Sequence, residues 1–181
     1  MKFVLKNARL SFPALFEPRD FNGDGKFRWS ANFIVPKNDP QIDELKKLIR
    51  AISLDQWKDK APAILKQLET TDKTPLHDGD VKTQDGYEGM YFLSASNARV
   101  APKVVDRDRT PLHESDGRIY GGCFVNAHVD LYAQDSQWGR RINATLTGVQ
   151  FVKDGDAFSG GRMLSDDEFE DLSGSDVGDL I

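Results

Sequence analysis

Positive charges and aromatic rings recur together along this chain. Arg99, Lys103, Arg107 and Arg109 crowd a segment punctuated by Pro102 and Pro111, and Arg140 and Arg141 adjoin Trp138. Lys26 and Arg28 occupy alternate positions opposite a run of apolar residues, while Tyr120 lies just ahead of Phe124 and Tyr132, two rings on the polar side of a long alternating segment. Ammonium and guanidinium groups along a groove meet phosphates, and π-faces stack bases. That combination binds single-stranded nucleic acid without reading its sequence.

Other chemistries fit the residues less well. Asp20-Phe21-Asn22-Gly23-Asp24-Gly25 matches the first half of a calcium loop. Its twelfth position is Ala31, where a bidentate glutamate is needed, and a hairpin turn explains the same residues. His77, His113 and His128 with the lone Cys123 lack zinc-site spacing, so no metal or other cofactor is expected. Nucleophile elbows, phosphate loops and dinucleotide fingerprints are missing, and the chain reads as a non-enzyme. The acid pairs Asp106/Asp108 and Asp78/Asp80 leave one alternative open, a nuclease or recombination enzyme using Mg²⁺. A protein-interaction module that touches no nucleic acid is another.

The elements that must position these residues follow from periodicity. Alternation predicts strands over residues 2–10 and 26–35, joined through Asn22-Gly23-Asp24-Gly25, whose Gly and Asn accept positive φ. In the second strand Phe27, Trp29, Ala31, Phe33 and Val35 share one face, and Phe27, Trp29 and Phe33 are expected in the core together with Phe92. Asp39-Pro40 predicts a capped helix with Ile42, Leu45, Leu48, Ile49 and Ile52 on one stripe. Pro62 opens a second helical piece as far as Leu68, and residues 70–86 read as a surface connection. Further strands are expected over 87–96, 119–133 and 141–152. In the long one Cys123, Val125, Ala127, Val129 and Leu131 point inward, and Gly121-Gly122 marks a bend. Strands, helices, then strands again predict a mainly β fold: a small, strongly bent sheet or barrel with a helical insertion between early and late strands.

Composition divides the chain unevenly. Its net charge is −5, yet residues 164–181 hold seven acids and no Lys or Arg. Setting those seven aside leaves 24 basic against 22 acidic side chains. A slightly basic domain over residues 1–160 is therefore expected to carry a flexible acidic tail over 161–181. Asp166, Asp167, Glu168, Glu170 and Asp171 could mimic a polyanion in a cationic groove, and Asp176, Asp179, Leu180 and Ile181 could dock a partner. The N-terminus reads as a strand rather than a secretion signal, and no apolar run matches a membrane span of ~20 residues. A cytoplasmic protein is expected.

Four blocks in order carry a resemblance. Arg9-Leu10-Ser11-Phe12-Pro13 is the first, and Asp85 through Asn97 (DGYEGMYFLSASN) the second. Ile119-Tyr120-Gly121-Gly122-Cys123-Phe124-Val125-Asn126-Ala127 and Gly148-Val149-Gln150-Phe151-Val152-Lys153-Asp154-Gly155 complete it. The chain resembles phage-type single-stranded-DNA-binding proteins, formerly a domain of unknown function. That resemblance implies a five-stranded Greek-key barrel of the OB-fold type and single-stranded DNA as ligand. It also implies a role in phage DNA replication or recombination inside the bacterial host, homodimers, and replication or recombination proteins as partners of an acidic tail.

Overall fold

In the computed structural model, which describes residues 1–158 and 166–174, the first strand runs past its predicted end. Strand β1 (Lys2–Arg19) does not stop at Ser11-Phe12-Pro13 but bends there. Asn7 (φ 55°) and Phe12 (φ 48°) are left-handed, and the register of β1 shifts at both places. Such bulges turn a strand without ending it. One long strand can thereby pair β2 (Arg28–Pro36) on one side and β6 (Phe124–Ser136) on the other.

Helices α1 (Pro40–Trp57) and α2 (Ala61–Thr70) follow β2. Asp39 caps α1 as expected, its carboxylate accepting from the Gln41 N–H at 3.0 Å. Both ends of α1 are tied to the sheet: Gln41 exchanges hydrogen bonds with the backbone of Lys6, and Trp57 Nε1 donates to Asp135 at 2.9 Å. The connection that follows is less plain than its polarity suggests, because β3 (Leu76–Asp78) pairs with β4 (Met90–Asn97). Tyr87 lies outside the strand predicted for it and is buried. Strand β5 (Lys103–Val105) and β7 (Gly139–Lys153) complete the set.

The sheet order β3-β4-β2-β1-β6-β7-β5 closes on itself, because β4 also meets β7 in parallel at Ser96↔Thr145. Five strands (β1, β2, β4, β6, β7) thus make a closed barrel, antiparallel except at that seam, and this is the OB-fold arrangement. The insertion sits between the second and third barrel strands. Ile42, Leu45, Ile49 and Leu65 join the same apolar cluster as Leu5, Phe33, Leu93 and Leu131, so the helices are built into the barrel core. Among the described residues no helix is long and apolar enough to cross a membrane.

Alternation is right for β6, where Val125, Ala127, Val129 and Leu131 are all buried, as is Cys123 just before it. Its start is not. Residues 119–123 form an irregular turn, and Gly122 (φ 114°) crosses the segment after β7 so closely that a Cβ would overlap the carbonyl of Asp156. Phe33 and Phe92 are core as expected and Trp29 is half-buried, but Phe27, at 60% exposure, stands in solvent. It shares the inward face of β2 yet lies before the strand begins, where nothing covers that face.

Candidate nucleic-acid interface

Three loops and a polar sheet surface assemble a groove of about 1210 Å³ across β2, β4 and β7. Its first wall is the β1–β2 loop. Asp20 folds that loop by accepting from the Asp24 and Gly25 N–H groups at 3.1 and 2.8 Å, and Asp24 accepts from Lys26 N–H at 2.9 Å. The Gly25 N–H above all holds the Asp20 carboxyl below its ordinary range. These carboxylates are occupied in making a turn, which is the hairpin reading of the calcium-like motif. The loop delivers Lys26 and Arg28 to the groove.

The opposite wall comes from the segments after β4 and β6. Asn97 accepts from the Arg99 and Val100 N–H groups, both at 3.0 Å, and donates to the Leu146 carbonyl at 3.1 Å. That geometry presents Arg99 and the exposed Val100. In the β6–β7 turn, Ser136 Oγ accepts from the Trp138 N–H at 3.2 Å and Gly139 takes φ 104°. Trp138 is left 83% exposed beside Tyr132 at 46% and Arg141.

The floor is polar and nearly free of bulk. Ser30 faces Ser96 and Asn32 faces Ser94 across β2 and β4, with Asn143 and Thr145 contributed by β7. Ser94 Oγ donates to Asn32 at 2.9 Å, and Asn32 Nδ2 donates to the buried Tyr87 hydroxyl at 3.1 Å. Four cations (Lys26, Arg28, Arg99 and Arg141) line the groove against one acid, Asp24. Among the described residues none of the four is in an ion pair.

Six of the twelve predicted contact residues therefore converge here, and six do not line this groove. Arg140 lies one position from Arg141 on a strand and so faces the other way, 3.4 Å from Asp135. Lys103, Arg107 and Arg109 sit on and after β5, beyond the far side of β7, where the Arg107 guanidinium donates to the Val152 carbonyl. Tyr120 is 5% exposed, its hydroxyl donating to Asp154 at 2.8 Å, so no face is open for stacking. Phe124 is half-buried against Gly155, with Lys153 Nζ 4.8 Å from its ring centre.

The acid pairs have other work. Lys37 bridges Asp78 and Asp80 at 2.9 and 2.6 Å. Asp106 lies 3.4 Å from Arg118, and Asp108 accepts from the Thr110 N–H at 3.0 Å, the Thr110 contacts keeping its carboxyl low. The three histidines are scattered, and no group of metal-binding side chains gathers among the described residues. Burial pushes the Cys123 thiol up to about 11, which keeps it protonated at neutral pH.

Of the tail, residues 166–174 are described: Asp166–Glu168 form a short turn of helix, and Phe169 and Leu172 are exposed. Asp176, Asp179, Leu180 and Ile181, expected from the sequence to dock a partner, lie outside the described residues.

Comparison with known proteins gives the geometry its context. The family model described as Enterobacter phage Enc34, ssDNA-binding protein, matches residues 1–181. Putative protein p50 of Acyrthosiphon pisum secondary endosymbiont phage 1 is 44% identical over 184 residues, covering 100% of this chain and 99% of that one. The single-stranded DNA-binding protein from bacteriophage Enc34, solved in complex with ssDNA, is 28% identical with a TM-score of 0.65, over 86% of this chain and 88% of that chain. The single-stranded DNA binding protein gp2.5 of bacteriophage T7 shares the fold alone, at 13% identity and a TM-score of 0.58, over 94% of this chain and 96% of that chain.

Proposed function

This chain belongs to the Enterobacter phage Enc34 ssDNA-binding protein family, and from that premise we propose that it binds single-stranded DNA, without sequence preference, in the groove across β2, β4 and β7. It is a binding protein, not an enzyme. The observation that carries the reading is the meeting of four cations, in no ion pair among the described residues, with two exposed rings over a floor of small polar side chains. Lys26, Arg28, Arg99 and Arg141 neutralise phosphates, and Trp138 and Tyr132 stack bases. Stacking is indifferent to base identity because every base has a π-face. Serine and asparagine on the floor leave room for a polymer to lie across the strands.

Residues 1–160 form the binding domain in this reading, and residues 161–181 a tether. Its acids occupy the groove when DNA is absent, and its last residues hand the protein to replication or recombination proteins in the phage-infected host cell, where the protein acts as a homodimer. Phe169 and Leu172, exposed three apart among acids, support the competition, since an anionic segment with apolar side chains matches a groove of cations and rings.

Titration with oligo(dT) at low salt tests the core of this proposal. Trp138 fluorescence is expected to quench, and log K to fall with log salt by about 0.7 per phosphate neutralised. Absent quenching combined with no mobility shift would overturn the function. Deleting residues 164–181 should tighten binding at low salt, and equal or weaker binding by the truncated chain would remove the tail from the mechanism.

A further inference from the structure

The barrel groove opens at one end onto the helical insertion. Thr74 and His77 line both it and a second hollow of about 570 Å³ between α1, α2 and the β3–β4 edge. The wall they form is fixed: the His77 ring stacks on Phe92 at 4.8 Å, and its Nδ1 lies 2.5 Å from Asp72.

Three cations line the second hollow, Lys46 and Arg50 from α1 and Lys66 from α2. Lys46 Nζ lies 4.8 Å from the centre of the Tyr91 ring, which puts a π-face and a positive charge at one place. Among the described residues Arg50 and Lys66 form no ion pair. Of the two acids that line the hollow, Asp78 is held by Lys37 at 2.9 Å, which leaves Glu69 against three cations. Like charges four residues apart on a helix repel, so Lys46 and Arg50 cost the helix stability where they stand. Lys66 on the facing helix adds a third cation, with Glu69 three residues on as its acidic neighbour. Contact with Tyr91 accounts for Lys46, but among the described residues Arg50 and Lys66 have no such partner on the barrel, and an anionic ligand would give them one.

We infer that a single strand leaving the barrel groove past Thr74 and His77 continues over the helical insertion, its phosphates met by Lys46, Arg50 and Lys66. This rests on the barrel groove binding single-stranded DNA as proposed above. The insertion then lengthens the binding site rather than only plugging the barrel.

The test uses the full chain with Arg50→Glu and Lys66→Glu together, both exposed positions. Lys47→Glu with Lys60→Glu is the control: it makes the same change in net charge at exposed positions that line neither hollow. An OB fold covers roughly 4–16 nucleotides, so oligo(dT) of about 6 lies near the lower end of that range and oligo(dT) of about 20 beyond its upper end. The short oligomer should bind the test variant within about twofold of the parent chain. The long one should lose about tenfold, with a salt slope reduced by about 1.4 for two lost phosphate contacts. Loss no greater for the long oligomer than for the short, or an equal loss in the control, overturns the extension while leaving the barrel groove intact. Failure of the parent chain to bind either length overturns both.

Discussion

Two large concavities share the β1–β2 hairpin and differ in the sign of their charge. The returning strand and its loop line the groove of about 1210 Å³, where Lys26, Arg28, Arg99 and Arg141 face one acid. The outgoing strand lines a hollow of about 850 Å³ that is richer in rings, with Phe12, Phe16, Phe21, Tyr87, Tyr120 and Phe158. Among the described residues that hollow carries Glu17, Asp85 and Glu114 against Arg19. Acids around rings repel a polyanion at a distance, and cations without open rings hold only the backbone. Under the proposed function aromatic content alone would point to the other side of the hairpin, and charge selects between the two.

Four variants would sharpen or break this contrast. The largest effect is expected from Arg28→Glu with Arg141→Glu. Two charge-assisted contacts of about 1.5 kcal/mol each are lost, so oligo(dT) affinity should fall on the order of 100-fold and the salt slope by about 1.4. Next comes Trp138→Ala, which removes a stacked base worth about 1–3 kcal/mol by fluorescence or mobility-shift titration. Phe21→Ala, in the acidic hollow, should change affinity by less than about twofold against losses of that size. Equal losses at Trp138 and Phe21 would mean that the strand crosses the hairpin and that charge does not decide its path. The smallest effect is expected from Arg107→Gln with Arg109→Gln, a change in slope well below the roughly 1.4 of two phosphate contacts. A loss matching the groove pair would put a second DNA track beside β5.

These outcomes bear on what the amino-acid sequence can disclose. The Asp39 cap, the α1 stripe and the inward positions of β6 are legible because each depends on neighbours within a turn or a strand. The run from Arg99 to Arg109 looks like the densest cationic site, yet only Arg99 reaches the groove, because where a residue lies around the barrel depends on strand order. Tyr120 misleads for a local reason: the left-handed Gly122 ends the alternation that would have turned its ring outward. Arg140 and Arg141 differ by one position and so by one face of β7, a parity that only the hairpin register fixes. The floor residues Ser30, Asn32, Ser94 and Ser96 are plain polar positions until β2 and β4 are known to be adjacent.

The barrel closes at one parallel pair, Ser96 with Thr145, helped by the Asn97 amide on the Leu146 carbonyl. Both paired residues line the groove, so anything bound along it also spans the joint. Ligand and joint are then thermodynamically linked: a strand that binds only the closed form adds its own binding free energy to keeping the seam shut. Amide hydrogens along the end of β4 should exchange more slowly in the complex, while those of β1 and β6 set the unaltered baseline. Under the proposed function DNA in the groove would act as a clasp, fastening from outside a joint that the described residues pair at Ser96 and Thr145.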